Sequence, residues 1–183
     1  MQNFNYSNLI SVLTKLNSEP ILDSLSNLAQ SLVQTINSGN KIILFGNGGS
    51  AAEASHFAAE LVSKCSNDHR PWPAICLNDS SPVITAIGND YGFDEVFRRQ
   101  VEAFANPNDL IVALSTSGRS KNVVEALNYA HEAGLKAYLL TGPVFDSKLK
   151  CVTISAPISD TPRIQEVHLI WIHFLSEYCE ENI

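Results

Sequence analysis

The sequence predicts an α/β fold in three layers, with a central parallel sheet between two layers of helices. Three observations carry that prediction. Ile42-Ile-Leu-Phe45 and Leu110-Ile-Val-Ala-Leu114 are continuous apolar runs without polar alternation, as parallel strands covered on both faces require. Helical patterns separate the strand candidates, and parallel strands need such crossovers. Both runs end in loops rich in Gly or Ser that open directly into a helix, and in open α/β sheets ligands bind at that carboxyl edge. With 183 residues, 45% of them hydrophobic, the chain reads as a single domain: a helical pair over 1–38 and an α/β core over 39–183.

Leu9, Ile10, Val12, Leu13 and Leu16 recur at helical spacing, and Pro20 opens a second helical pattern running through Ile21, Leu22, Leu25, Leu28, Leu32 and Ile36. The strand at 42–45 is punctuated by Gly46, and Ser50 is the expected N-cap of the next helix. Ala74-Ile-Cys-Leu77 predicts a strand, Pro82 to Ile87 a helix, and Asp94 to Phe104 another. After the strand at 110–114 comes a helix over 121–133 ended by Gly134. Ala137-Tyr-Leu-Leu140 and Val152-Thr-Ile-Ser155 are the last strands, and Thr161 to Glu180 is a closing helix with Pro162 in its first turn. Two leading helices exceed what a small sheet needs for cover, so part of their apolar surface is expected in a subunit interface.

A formal charge of −7 argues against nonspecific nucleic-acid binding, because the phosphate backbone rewards a basic surface. The four cysteines, Cys65, Cys76, Cys151 and Cys179, contain no Cys-x-x-Cys pair. They read as free thiols filling the core in a reducing cytosol. Neither a basic-then-apolar leader nor an apolar run near 18 residues is present, so a cytoplasmic protein with no membrane span is expected.

Chemistry concentrates in three places. In Gly46-Asn-Gly-Gly-Ser50, Gly48 and Gly49 let a ligand approach the backbone, and the helix that follows presents His56 and Glu60 on one face at i and i+4. Such a pair on its own is commonly a solvated helix face. In Ser115-Thr-Ser-Gly-Arg-Ser120, the hydroxyls of Ser115, Thr116, Ser117 and Ser120 stand beside a helix start, the donor set a phosphate monoester needs, with Arg119 and Lys121 adding positive charge. An ordinary serine turn would look similar. Neither loop is a nucleotide P-loop or a dinucleotide fingerprint. On the closing helix, Gln165, His168 and His173 interrupt an apolar segment. His168 lies about 60° to one side of Gln165 and His173 about 80° to the other, so periodicity leaves both histidines open. With His56 and Glu60, Gln165 and one histidine would make a nitrogen and oxygen site suited to zinc.

Gly46-Asn-Gly-Gly-Ser50, His56-x-x-x-Glu60, Gly88-Asn-Asp90, Ser115-Thr-Ser-Gly-x-Ser120 and Arg163-Ile-Gln-Glu-Val-His168 together resemble the phosphoheptose isomerases of the sugar isomerase (SIS) domain superfamily, in order, at matching separations and over nearly the whole chain. The resemblance implies a cytoplasmic homotetramer with one zinc per subunit. It also implies conversion of sedoheptulose 7-phosphate into D-glycero-D-manno-heptose 7-phosphate, the first step toward nucleotide-activated heptose for cell-surface polysaccharide such as lipopolysaccharide. Carried over by residue, it implies zinc ligands at His56, Glu60, Gln165 and His173, leaving His168 structural. Implied sugar contacts are Asn47, Gly48, Gly49, Glu60, Asn89, Asp90 and Gln165, and implied phosphate contacts are Ser115, Thr116, Ser117 and Ser120.

Aldose-ketose exchange moves a proton between neighbouring carbons through an enediolate, work that the carboxylate Glu60 and the imidazole His173 can share beside a Lewis-acidic zinc. Two positions depart from the family pattern. Lys64 replaces a frequent arginine and lacks its bidentate fork. Arg119 replaces a frequent asparagine and is expected to face solvent. The competing expectations are a non-catalytic SIS tetramer that binds a replication initiator or senses a sugar phosphate, and an isomerase for another sugar phosphate.

Overall fold

The structure, a computed structural model, describes residues 7–143 and 149–183; residues 1–6 of the expected N-terminal helical pair therefore lie outside the described residues. The helices α1 (Ser7–Leu16) and α2 (Glu19–Asn37) precede β1 (Ile42–Gly46), α3 (Gly49–Val62), β2 (Ala74–Cys76) and α4 (Ser81–Asp90). A 3-10 turn at Phe93–Glu95 leads into α5 (Val96–Phe104), β3 (Leu110–Ser115), α6 (Lys121–Glu132), β4 (Lys136–Thr141), β5 (Val152–Ser155) and α7 (Thr161–Asn182).

All four strand pairings are parallel, in the order β2-β1-β3-β4-β5. Alternate residues of each strand feed opposite layers, which explains the unbroken apolar runs. Ile42, Leu44, Leu110, Val112 and Leu114 pack with the buried faces of α2, α3 and α7. Ile43, Phe45, Ile111 and Ala113 pack with α5 and α6. The expected three-layer α/β/α arrangement is thus present. Fully covered residues such as Leu28, Leu32 and Ile36 of α2 each contribute about 1.5–3 kcal/mol by leaving water. With them α2 becomes a full member of one covering layer rather than surplus to the sheet. Ile10 and Leu13 of α1 and Leu22 of α2 remain exposed.

The amino ends of β1 and β3 are tied by Asp109, whose carboxylate is 2% exposed in its ion pair with Lys41. It accepts the backbone N–H of Lys41 at 2.9 Å and of Asn106 at 2.6 Å. The pairing of Ile42 with Leu110 follows and runs to Gly46 opposite Leu114, so the loops after β1 and β3 emerge side by side. Because β2 lies on one flank of β1 and β3 on the other, the carboxyl edge between β1 and β3 is the topological switch point, where open α/β sheets form their ligand crevice.

Candidate active site

β1 can end where it does only because residue 46 is glycine. A Cβ there would stand 2.7 Å from the Ser50 carbonyl oxygen and 2.8 Å from that of Leu114. The chain then turns through Gly48 at φ 58°, a left-handed conformation that favours glycine. Gly48, not Ser50, is the residue at the N-cap position of α3, and Ser50 is buried inside the first turn. The positive φ starts the helix earlier than the serine signal suggested.

Two asparagines that the sequence reading did not single out hold this edge together. Asn78 donates through Nδ2 to the Gly46 carbonyl at 2.9 Å and accepts the Gly46 N–H through Oδ1 at 3.1 Å, extending β1 as a further strand would. Asn122, in the first turn of α6 and 3% exposed, exchanges amide hydrogen bonds with Asn47 at 2.8 and 2.9 Å. That pair bridges the glycine loop and the serine loop across the switch point.

α3 and α7 bring three of the four expected metal ligands together. His56 Nε2 faces His173 Nε2 at 3.0 Å, the rings meeting edge-on at 69°. His56 Nε2 also lies 3.5 Å from Glu60 Oε1, where the carboxylate side chain is 16% exposed. Ligands at about 2.0–2.1 Å in a tetrahedron stand about 3.3 Å apart, so these separations are those of ligand edges, and the mixed nitrogen and oxygen donors suit zinc. Among the described residues no group of three or more His, Cys, Asp or Glu is arranged to hold a metal ion; the convergence is pairwise on His56. Gln165 is placed differently. Its amide rests on Gly49, where a Cβ would meet Nε2 at 2.0 Å, so it borders the glycine loop.

His168 is turned away from this cluster into the core. It is fully buried, with Nδ1 3.8 Å from Glu53 Oε2, which separates the two histidines that periodicity left open. Cys65 is half-buried rather than core filler. Burial first, then a hydrogen bond to the Glu60 carboxylate, pushes its thiol up to about 12. Burial likewise raises the thiols of Cys76 and Cys151 to about 11 and of Cys179 to about 12, so all four are protonated near neutrality. The α3 to β2 loop that carries Cys65 is clasped by Glu180 of α7. This carboxylate accepts the backbone N–H groups of Cys65 at 2.7 Å, Ser66 at 3.1 Å and Asn67 at 2.8 Å. Burial opposes its ionisation, but the three N–H bonds outweigh it and lower its pKa.

Beside the serine loop lies a cavity of about 570 Å³. Thr116, Ser117 and Arg119 form one wall, and Ser159, Thr161 and Ile164 the other. Ser115 and Ser120, also expected at the phosphate, are not among the described residues that line it; their hydroxyls lie 3.3 Å apart. Ser159 and Thr161 went unnoticed in the sequence because they come from the segment leading into α7, far along the chain. Lys121 is drawn away from the loop into an ion pair with Asp94 at 2.5 Å, and Asp94 raises its pKa. Asn89 and Asp90 close α4 as exposed residues bonded to each other at 2.7 Å. Among the described residues neither has a hydrogen bond or ion pair to the His56 cluster.

The model of the SIS domain matches residues 5–142. The phosphoheptose isomerase of Aliarcobacter butzleri is 43% identical over 167 residues, spanning 90% of this chain and 88% of the relative. That of Trichlorobacter lovleyi is 46% identical over 158 residues, spanning 85% and 81%. This chain belongs to the phosphoheptose isomerase family of SIS-domain proteins. The solved phosphoheptose isomerase of Neisseria gonorrhoeae superposes with a TM-score of 0.88 at 35% identity, covering 96% of this chain and 95% of that one. The chain is accordingly an enzyme of the sugar-phosphate isomerase class, as its motifs led one to expect. Among the described residues no helix is long and apolar enough to cross a membrane.

Proposed function

We propose that this enzyme converts sedoheptulose 7-phosphate into D-glycero-D-manno-heptose 7-phosphate in the cytoplasm, as a homotetramer with one zinc per subunit, and so opens a route to nucleotide-activated heptose. The observation that carries the reading is the meeting of Glu60 and His173 about His56, at 3.5 and 3.0 Å, on the sheet edge that also carries a cavity lined with hydroxyls.

His56, Glu60 and His173 would hold the metal, with the Gln165 amide the remaining candidate donor. Bound there, zinc would supply Lewis-acid polarisation of the sugar carbonyl. The chain's own groups do the proton work. Glu60, with its carboxylate largely shielded from solvent, takes a proton from one of C1 and C2 and returns it to the other. His173, an imidazole within hydrogen-bond reach of His56, moves the proton between the two sugar oxygens, so that the enediolate is neutralised as it forms. The glycine loop, kept in place by the Asn47 and Asn122 amides, orients the sugar chain. Thr116 and Ser117 anchor the phosphate at the far end, where remote binding becomes alignment at the reacting carbons. A tetramer is supported by the apolar side chains left exposed on several elements, Ile10 and Leu13 of α1 and Leu169 and Phe174 of α7 among them.

Glu60→Gln tests the assignment. Turnover is expected to fall by roughly 10²–10⁴-fold with the fold intact, and a variant that retains full activity would remove Glu60 from the mechanism.

A further inference from the structure

The cavity beside the serine loop is bordered by an exposed charge that none of the described residues neutralises. Arg119 lines it, and among the described residues its guanidinium takes part in no ion pair or side-chain hydrogen bond; only its backbone N–H is engaged, donating to Ser117 Oγ at 3.2 Å. Its cationic neighbours are committed elsewhere. Lys121 is held by Asp94. Arg163, near the start of α7, is held by Glu166 at 2.6 Å and approached by Asp160 at 3.8 Å. Among the described residues, every other one lining the cavity is uncharged: hydroxyls on Thr116, Ser117, Ser159 and Thr161, with Pro143 and Ile164.

Hydroxyls alone serve neutral sugars and phosphate equally well, since each can donate to either. A guanidinium discriminates. Its fixed fork pairs with two phosphate oxygens at once and strengthens as the oxygens carry charge. The need for it is sharper in a chain of net charge −7, with Asp160 and Glu166 beside the same helix start, because the overall field repels a dianion.

We propose that Arg119 pairs with the substrate phosphate and makes this cavity selective for a phosphomonoester over the neutral sugar. The inference rests on the isomerase reading for the identity of the substrate, but not for the existence of the anion site. Arg119 is a binding and specificity residue; it touches no reacting carbon.

The test compares wild type, Arg119→Gln and Arg119→Lys. KM and kcat are measured on sedoheptulose 7-phosphate, and the dissociation constant of inorganic phosphate is measured by calorimetry. For Arg119→Gln, KM and the phosphate dissociation constant should rise together by about tenfold to a hundredfold, the range of a lost charge-assisted hydrogen bond. kcat should change far less, and Arg119→Lys should recover part of the loss. Phosphate binding by Arg119→Gln equal to wild type, or no phosphate binding by wild type at all, overturns the proposal. If wild type binds phosphate through Arg119 yet isomerises no ketose phosphate, the functional reading falls and the pairing stands.

Discussion

Two alanine substitutions three residues apart should separate stability from activity. At Gly46 the added Cβ would lie 2.7–2.8 Å from the carbonyl oxygens of Ser50 and Leu114. Both are backbone atoms, one at the start of α3 and one in β3, so relief requires moving a helix or a central strand by several tenths of an ångström. Overpacking of this kind costs about 1–3 kcal/mol, which for a chain of this length lowers Tm by roughly 3–10 °C. At Gly49 the added Cβ would meet only the end of a flexible side chain, Gln165 Nε2 at 2.0 Å. The amide must retreat by about 1.4 Å to reach ordinary contact distance. Alanine suits the first turn of a helix, so stability should stay within about 1 kcal/mol of wild type. If Gln165 serves the site as proposed, displacing its amide by more than 1 Å should reduce kcat/KM by about 10²-fold. Calorimetric melting and a ketose-phosphate isomerisation assay on the two variants provide the comparison. The reverse pattern, a stable Gly46→Ala and a destabilised but fully active Gly49→Ala, would refute the reasoning about which neighbour each glycine accommodates.

Asn122→Ala should leave the Asn47 amide without its buried partner and cost about 1–3 kcal/mol in urea unfolding, with kcat/KM falling as the two loops lose their bridge; an unaffected melting curve would show that the amide pair is dispensable. Glu180 has a lowered folded-state pKa, so its contribution to stability is present above the ordinary carboxylate value of 4.5 and is lost as pH falls through the lower folded value. Glu180→Gln should therefore lower stability at neutral pH and flatten its acid dependence, and an acid profile identical to wild type would exclude the clasp.

The parts of the fold that were legible were those fixed by local pattern. β1 and β3 stood out because burial on both faces removes polar alternation, and α7 because Pro162 and an apolar stripe mark its start and its face. What stayed hidden depends on partners distant in sequence. Asn78 and Asn122 carry no periodic signature; their roles exist only because Gly46 and Asn47 lie opposite them, 32 and 75 residues away. The two cations of the serine loop could not be ranked without Asp94, which draws Lys121 aside and leaves Arg119, exposed as expected, at the border of the cavity. The angular positions of His168 and His173 about Gln165 were equivalent as ligand geometry. Burial against Glu53 for one and contact with His56 for the other give them different surroundings.

In the proposed mechanism Glu60 and His173 move protons between C1 and C2 of a seven-carbon ketose phosphate with a metal held at His56. The most direct measurement incubates the purified protein with sedoheptulose 7-phosphate in deuterated water, as prepared, after chelation and after zinc is restored, and follows the sugar by NMR. Aldose carrying deuterium at C2 is predicted in the zinc-restored sample, lost on chelation and recovered with the metal. Folded protein that neither forms aldose nor exchanges a C–H proton in any metal state would contradict the account.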